Sequence, residues 1–298
     1  IVFRKDKTFL LDWMQVYMEA QESAGKKDGS QIKIAMRILK DYAGEMVTLD
    51  QIDGDFCRGY ITYLLTEYHP KGKDISNYTL HNYYRALNGA LNSAVRKKKM
   101  KANPFNELEK SEKIRKPESM RSYMTIEEVQ ALIDTPMPHE EYEIVKCAYL
   151  FSCFCGLRIS DIIKLKWNDV FVDRGQYRLA VSMKKTKEPI YLPLSPEALK
   201  WMPERGGKSS EDNVFDLPSA NTIRMQLKPW AKAAGISKRF SYHTSRHTFA
   251  TMMLTLGADL YTVSKLLGHA DVKMTQVYAK IINKKKDEAV NLVNGLFH

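Results

Sequence analysis

The amino-acid sequence predicts a mainly α-helical chain with one small antiparallel β-sheet, divided into an all-helical first domain and a mixed α+β second domain. Three observations carry that expectation. Apolar residues recur at three-to-four spacing from the start to about residue 105. A charged, weakly apolar stretch with one proline, EKSEKIRKPESMRS over 109–122, then interrupts the pattern. Between 168 and 193 the apolar period shortens to that of strands before helical spacing returns.

The elements follow in order. Leu10, Leu11, Met14, Tyr17 and Met18 line one face of a first helix, and Ile34, Met36, Ile38, Leu39 and Tyr42 one face of a second. Thr48 or Asp50 is placed to cap a third, whose apolar side is Phe56, Tyr60, Ile61, Leu64 and Leu65. A fourth starts near Ser76, continues through Tyr83, Leu87, Leu91 and Ala94 into the basic run Arg96-Lys97-Lys98-Lys99, and stops near Asn103-Pro104. Proline disfavours helix at the residue before it, which sets that limit. The first domain is therefore 1–108, the linker 109–122 and the second domain 123–298. Thr125-Ile126-Glu127-Glu128 has the form of a capping box opening the second domain. Helices are expected around 126–134 and 140–155, and Ser160 is placed to cap another. Short β-type runs, Val170–Val172, Tyr177–Ser182 and Ile190–Leu192, are separated by Asp173-Arg174-Gly175 and by Lys184–Glu188. From about 195 onward the spacing is helical again.

Composition narrows the class. Forty-six Lys and Arg against thirty-five Asp and Glu leave a net charge of +11, which favours a polyanionic partner because neutralised phosphates release counterions. No apolar run reaches the roughly 18 residues needed to span a bilayer. Cys147, Cys153 and Cys155 crowd one apolar stretch, AYLFSCFCGL, and no Cys/His set has zinc-site spacing, so the cysteines read as reduced core thiols of a cytoplasmic protein. The chain begins with Ile1 and has no leader pattern, which reads as a fragment of a longer protein.

Four places in the second domain set polar residues in apolar surroundings: Arg158 after Gly156-Leu157, Lys185 on the expected hairpin tip, His243-Thr244-Ser245-Arg246, and Gly268-His269 followed nine positions on by Tyr278. Each alone has a plainer reading, as a salt bridge, a solvated edge, a surface pair or half-buried packing.

Together and in this order they resemble the catalytic set of the tyrosine recombinase (phage integrase-like) family. The stretches read GLRISD, MKKTKEPIYLPL, HTSRHTFAT and LLGHADVKMTQVYAK, with framing residues Leu266-Leu267-Gly268 and His247-Thr248-Phe249-Ala250. The likeness is strong over about 123–283, while the first domain resembles the family's helical core-binding domain more loosely. It implies site-specific strand exchange on double-stranded DNA, such as integration or excision of a mobile element, by a homo-tetramer that clamps its sites. It also implies an arm-binding domain ahead of the fragment. Runner-up readings are relaxation of the type IB topoisomerase kind and a non-catalytic DNA-binding relative.

The residue types suit that chemistry. Arg158 and Arg246 offer guanidiniums matched to phosphate oxygens. Tyr278 offers an oxygen nucleophile. The resemblance implies Lys185 as the general acid for the leaving 5′-oxygen, His243 as acid/base at Tyr278, His269 as a hydrogen-bond donor to phosphate, and Asp161 as an orienting residue. A 3′-phosphotyrosine intermediate keeps the bond energy, so no cofactor, neither metal nor ATP, is expected. Arg37, Lys40, Arg85, Arg96, Lys97, Lys98 and Lys99 are candidate contacts to DNA phosphates, which position a duplex without reading its sequence. Beyond Tyr278, Ala289, Val290, Leu292, Val293, Leu296 and Phe297 predict an amphipathic tail helix. It would fold back on its own domain or, as the resemblance implies, dock on a neighbouring protomer.

Overall fold

The computed structural model describes residues 7–26, 28–117, 121–182 and 189–279. The expected hairpin tip, Lys185 included, and the expected tail helix lie outside the described residues. The chain divides into two compact units, Ile1–Ser119 and Met120–His298.

The first unit is built on four helices, α1 (Leu10–Ser23), α2 (Gly29–Ala43), α3 (Gly54–Thr66) and α4 (Asn77–Arg96). Their shared core includes Met14, Ile38, Tyr60, Leu87 and Leu91. Trp13 sits in it with its indole N–H donating to the Ala90 carbonyl at 2.8 Å, so burying the ring leaves no donor unpaired. The cap of α3 is neither Thr48 nor Asp50. Thr48 and Gln51 close a short 3-10 turn over Leu49–Gln51, and Asp53 caps α3 by accepting from Phe56 N at 2.8 Å. α4 starts where expected, with Ser76 as its cap. That helix stops at Arg96 rather than near Pro104: Lys98 takes a left-handed φ of 57°, and Lys98 N and Lys99 N turn back to the carbonyls of Val95 and Ala94. The chain beyond is pinned by buried Asn103, whose amide donates to Asn88 Oδ1 at 2.7 Å and Asn92 Oδ1 at 2.9 Å.

The second unit comprises α5 (Ile126–Asp134), α6 (Glu143–Cys155), α7 (Ile159–Ile162), β1 (Val170–Asp173), β2 (Gln176–Ser182), β3 (Pro189–Pro193), α8 (Pro196–Lys200), α9 (Ala220–Ala233), α10 (Tyr242–Thr255), α11 (Leu260–Leu266) and α12 (Lys273–Ala279). The strands form one antiparallel sheet in the order β1-β2-β3, with Val170 opposite Leu179 and Leu179 opposite Leu192. Arg174 and Gly175, both at positive φ, make the two-residue turn whose twist matches the strands it joins. Thr125 and Glu128 form the capping box of α5.

α6 is central because AYLFSCFCGL is apolar on nearly every side. Its residues supply two buried clusters, one with α5 and α9 and the other with the sheet and α8. The free thiols of Cys153 and Cys155 lie buried within it. Tyr242 ties α10 to α6, its hydroxyl donating to the Ala148 carbonyl at 2.6 Å and meeting Ser152 Oγ at 2.9 Å. No helix among the described residues is long and apolar enough to cross a membrane.

Gly156 ends α6 at φ +75°, and a Cβ there would stand 2.5 Å from Cδ1 of the buried Phe249 ring. Left-handed strain costs an alanine about 1–2 kcal/mol and forced overpacking about 1–3 kcal/mol more. Gly156→Ala is therefore expected to cost roughly 2–5 kcal/mol by addition of the two terms, read as a lower urea midpoint at unchanged slope.

Candidate active site

The site is assembled where α10 faces the turn after α6 and the segment α11–α12. Position 246 follows 243 by three residues and 247 follows it by four, so one helical face carries His243, Arg246 and His247. Most of α10 is buried, whereas His243 is exposed near its N-terminus.

Arg246 is 2% exposed, and its guanidinium is fixed by the backbone. Nη1 donates to the Gly156 carbonyl at 2.7 Å, and Nη2 donates to the Leu267 carbonyl. Burial and the neighbouring Arg158 cation lower its pKa to about 10, which leaves it charged at neutral pH. Arg158 is half-buried and is the N-cap of α7. Asp161 Oδ2 accepts from Arg158 N at 3.2 Å and lies 4.0 Å from its Nη1. Asp161 thus orients both the backbone and the guanidinium, and Arg158, rather than Ser160, occupies the cap.

His269 follows α11. Its Nδ1 meets the buried Thr275 Oγ1 of α12 at 2.7 Å, which leaves Nε2 for a ligand. Burial, then Arg246, Arg158 and Arg121, depress its pKa to about 4. Tyr278, on the same short helix as Thr275, is 1% exposed. Its hydroxyl has two hydrogen-bond partners among the described residues: His247 Nδ1 at 2.6 Å and Arg121 Nη1 at 3.1 Å. The contact that the resemblance implies for His243 is therefore made by its neighbour. The His243 ring stands perpendicular to that of His247, with centroids 4.6 Å apart.

Of the expected catalytic residues, the structure brings Arg158, His243, Arg246, His269 and Tyr278 into one electrostatic cluster. Arg246 lowers the pKa of all three histidines, and Tyr278 raises that of Arg246. Two further members do not stand out in the sequence. His247 reads there as a framing residue, although its spacing on the His243 face is a usable signal. Arg121 reads as part of the linker because a lone arginine in a charged stretch looks like its surroundings, yet its cation reaches all three histidines. The described residues hold no group of three or more His, Cys, Asp or Glu suited to a metal ion.

The histidines make the fold acid-sensitive. His247 is pushed down to about 3, first by burial and then by His243, Arg121 and Arg246, while His243, though its side chain is partly open to solvent, is lowered by desolvation from the surrounding protein and then by Arg246, Arg121 and Arg158. Their folded pKa values lie below the unfolded value of 6.5, so the unfolded chain binds more protons and stability falls as pH drops from about 6.5 toward 4. One such proton changes stability by at most about 1.4 kcal/mol per pH unit. Melting curves at pH 7 and pH 5 should show the loss, and His247→Asn should flatten it.

The phage integrase family model matches residues 122–285, and the phage integrase SAM-like domain model matches residues 9–115. A tyrosine recombinase of Pseudothermotoga lettingae is 29% identical over 242 residues, 74% of this chain and 82% of that protein. A tyrosine recombinase XerD of Vibrio vulnificus is 32% identical over 184 residues, 57% of this chain and 59% of its own length, so that match spans under two thirds of the relative. In fold, the chain is similar to the XerH site-specific recombinase bound to a palindromic difH substrate, with a TM-score of 0.65 at 16% identity and 95% of each chain covered. It is also similar to the lambda integrase tetramer bound to a Holliday junction, with a TM-score of 0.68 at 20% identity, covering 92% of this chain and 78% of that one. With both of its units matched, over residues 9–115 and 122–285, the chain belongs to the phage integrase family.

Proposed function

We propose that this protein breaks and rejoins DNA strands at specific sites through a covalent 3′-phosphotyrosine bond at Tyr278. The observation that carries the reading is the Tyr278 hydroxyl, held at 3.1 Å by one arginine and within the electrostatic reach of a second, Arg246, which in turn feels Arg158. An anionic reacting group such as a phosphodiester suits a phenol held by Arg121 with Arg246 and Arg158 in the same electrostatic cluster. The chemistry they favour is in-line attack by Tyr278 Oη on a phosphodiester, with Arg158 and Arg246 stabilising charge on the non-bridging oxygens. His269, whose Nδ1 is taken by Thr275, is assigned to donate from Nε2 to the same phosphate, and Lys185 is assigned as the acid that protonates the leaving 5′-oxygen. Reversal by a free 5′-hydroxyl rejoins the strand and needs no external energy source.

Strand exchange takes two sites, so the active form is a tetramer on double-stranded DNA, working in the cytoplasm to integrate or excise a mobile element. Family membership and likeness to recombinases and integrases favour this over topoisomerase-type relaxation. Sequencing the junctions formed in cells that express the chain gives the site. A nicked duplex of that sequence should then yield an SDS-resistant protein–DNA adduct, and a chain that binds the duplex without any adduct would be a non-catalytic relative.

Arg37, Lys40, Arg85 and Arg96–Lys99 are all exposed and are assigned to DNA phosphates. Arg85 lies 3.8 Å from Asp28, and Lys40 pairs with Glu45, so each exchanges a weak surface partner for phosphate. Removing one cation from a phosphate should lower the slope of log affinity against log salt by about 0.9. Lys97→Ala, Lys98→Ala and Lys99→Ala combined should therefore reduce that slope by up to about 2–3 in a fluorescence titration. An unchanged slope would remove this run from the interface.

A further inference from the structure

We propose that His247 Nδ1 is the base that takes the Tyr278 hydroxyl proton, and that Arg121 is a third arginine of the site, holding the phenolate oxygen as it forms. The inference rests on Tyr278 being the nucleophile.

Geometry assigns the pair. His247 Nδ1 lies 2.6 Å from the hydroxyl, within the range of direct proton transfer, and Arg121 Nη1 lies 3.1 Å from the same oxygen. The Arg121 guanidinium carbon also stands 5.6 Å from the centre of the Tyr278 ring, so one cation addresses both the oxygen and the π-face of the phenol. Both contacts are sheltered, since Tyr278 is 1% exposed and His247 8%. Arg121 can only donate, so the hydroxyl oxygen accepts from it. The hydroxyl proton is then directed at His247, whose Nδ1 is the acceptor in the neutral tautomer protonated on Nε2.

Neutrality of His247 is built in. Burial, His243, Arg121, Arg246 and His269 all disfavour its imidazolium and hold its pKa near 3. A phosphodiester entering between Arg158 and Arg246 brings the opposite charge. It offsets those cations and raises the proton affinity of the imidazole when the reaction needs it. The step balances without a further reactant. The O–H bond of Tyr278 breaks and its proton goes to His247 Nδ1. The phenolate pair forms the bond to phosphorus, the bond from phosphorus to the 5′-oxygen breaks, and that oxygen takes its proton from Lys185. Rejoining returns the proton from His247 to Tyr278. His243, exposed and one turn away, is left to serve the phosphate.

The test uses the full chain and a nicked duplex of its own junction sequence, in normal form and with sulfur in place of the bridging 5′-oxygen. Asparagine at 247 keeps an acceptor near the Nδ1 position but takes up no proton. His247→Asn should bind the duplex as the wild type does yet form adduct about 10²–10⁴ times more slowly, with a rate that climbs as pH is raised. The sulfur leaving group needs no proton, so it should rescue Lys185→Ala and leave His247→Asn slow. Arg121→Gln, in a half-buried segment outside the helices, should slow adduct formation by about 10²–10³, and Arg121→Lys by less. Near wild-type rates in His247→Asn, faster cleavage in either variant, or rescue of His247→Asn by sulfur would overturn the inference. Should His247→Asn fail to fold, Arg121→Gln decides alone. Absence of any Tyr278 adduct in the wild type would instead defeat the underlying reading of function.

Discussion

Tyr278→Phe should abolish the covalent protein–DNA adduct while leaving DNA affinity near that of the wild type. The substitution removes one oxygen from a ring that stays packed against Phe249, Leu254 and Leu267, so the fold is little disturbed. Two hydrogen bonds do go with that oxygen, leaving His247 Nδ1 and Arg121 Nη1 without their shared partner. Unpairing buried polar groups costs about 1–3 kcal/mol each, with less at half-buried Arg121, so a modest drop in melting temperature should accompany total loss of cleavage. Adduct of undiminished yield on denaturing gels would remove Tyr278 from the chemistry.

The second large effect is at the arginines, where the two positions should separate. Arg158→Lys and Arg246→Lys both keep a charge and lose the planar fork that matches phosphate, so each should slow single-turnover cleavage by about 10²–10³ or more. Stability should distinguish them. Arg246 alone closes two buried backbone carbonyls, at Gly156 and Leu267, and a lysine ammonium cannot span both in the same geometry. Arg246→Lys should therefore cost about 1–3 kcal/mol in urea unfolding. Half-buried Arg158 should change stability less, because a lysine there keeps both the backbone N–H that Asp161 accepts from and a cation beside that carboxylate. Near-normal cleavage by Arg246→Lys would count against the phosphate clamp, and equal stability losses would count against the carbonyl-bridging role.

The sequence disclosed the site better than its surroundings, for physical reasons. Arg, His-x-x-Arg, Gly-His and Tyr are legible because polar residues in apolar stretches stand out and their chain order is distinctive. The small sheet is legible because its period differs from that of the helices around it. Helix caps are less so: Thr48, Asp50 and Asp53 all have capping side chains within one loop, and only tertiary packing chooses Asp53 for α3. The end of α4 is hidden because Lys98 adopts left-handed geometry that lysine composition does not announce. Arg121 is hidden because its partner, the Tyr278 hydroxyl, is 157 positions away in the chain. His247 is visible on the helical face but inconspicuous, because Arg246 beside it already completes the motif.

Identifying the residue that carries the DNA tests Tyr278 as nucleophile most directly. The trapped adduct from a nicked junction duplex is digested with nuclease and trypsin, and the modified peptide is sequenced by mass spectrometry. The expected result is a nucleotide remnant on the peptide spanning 274–280, attached through Tyr278 by a 3′-phosphate linkage. Attachment at any other side chain, or a linkage through the 5′-phosphate, would contradict it.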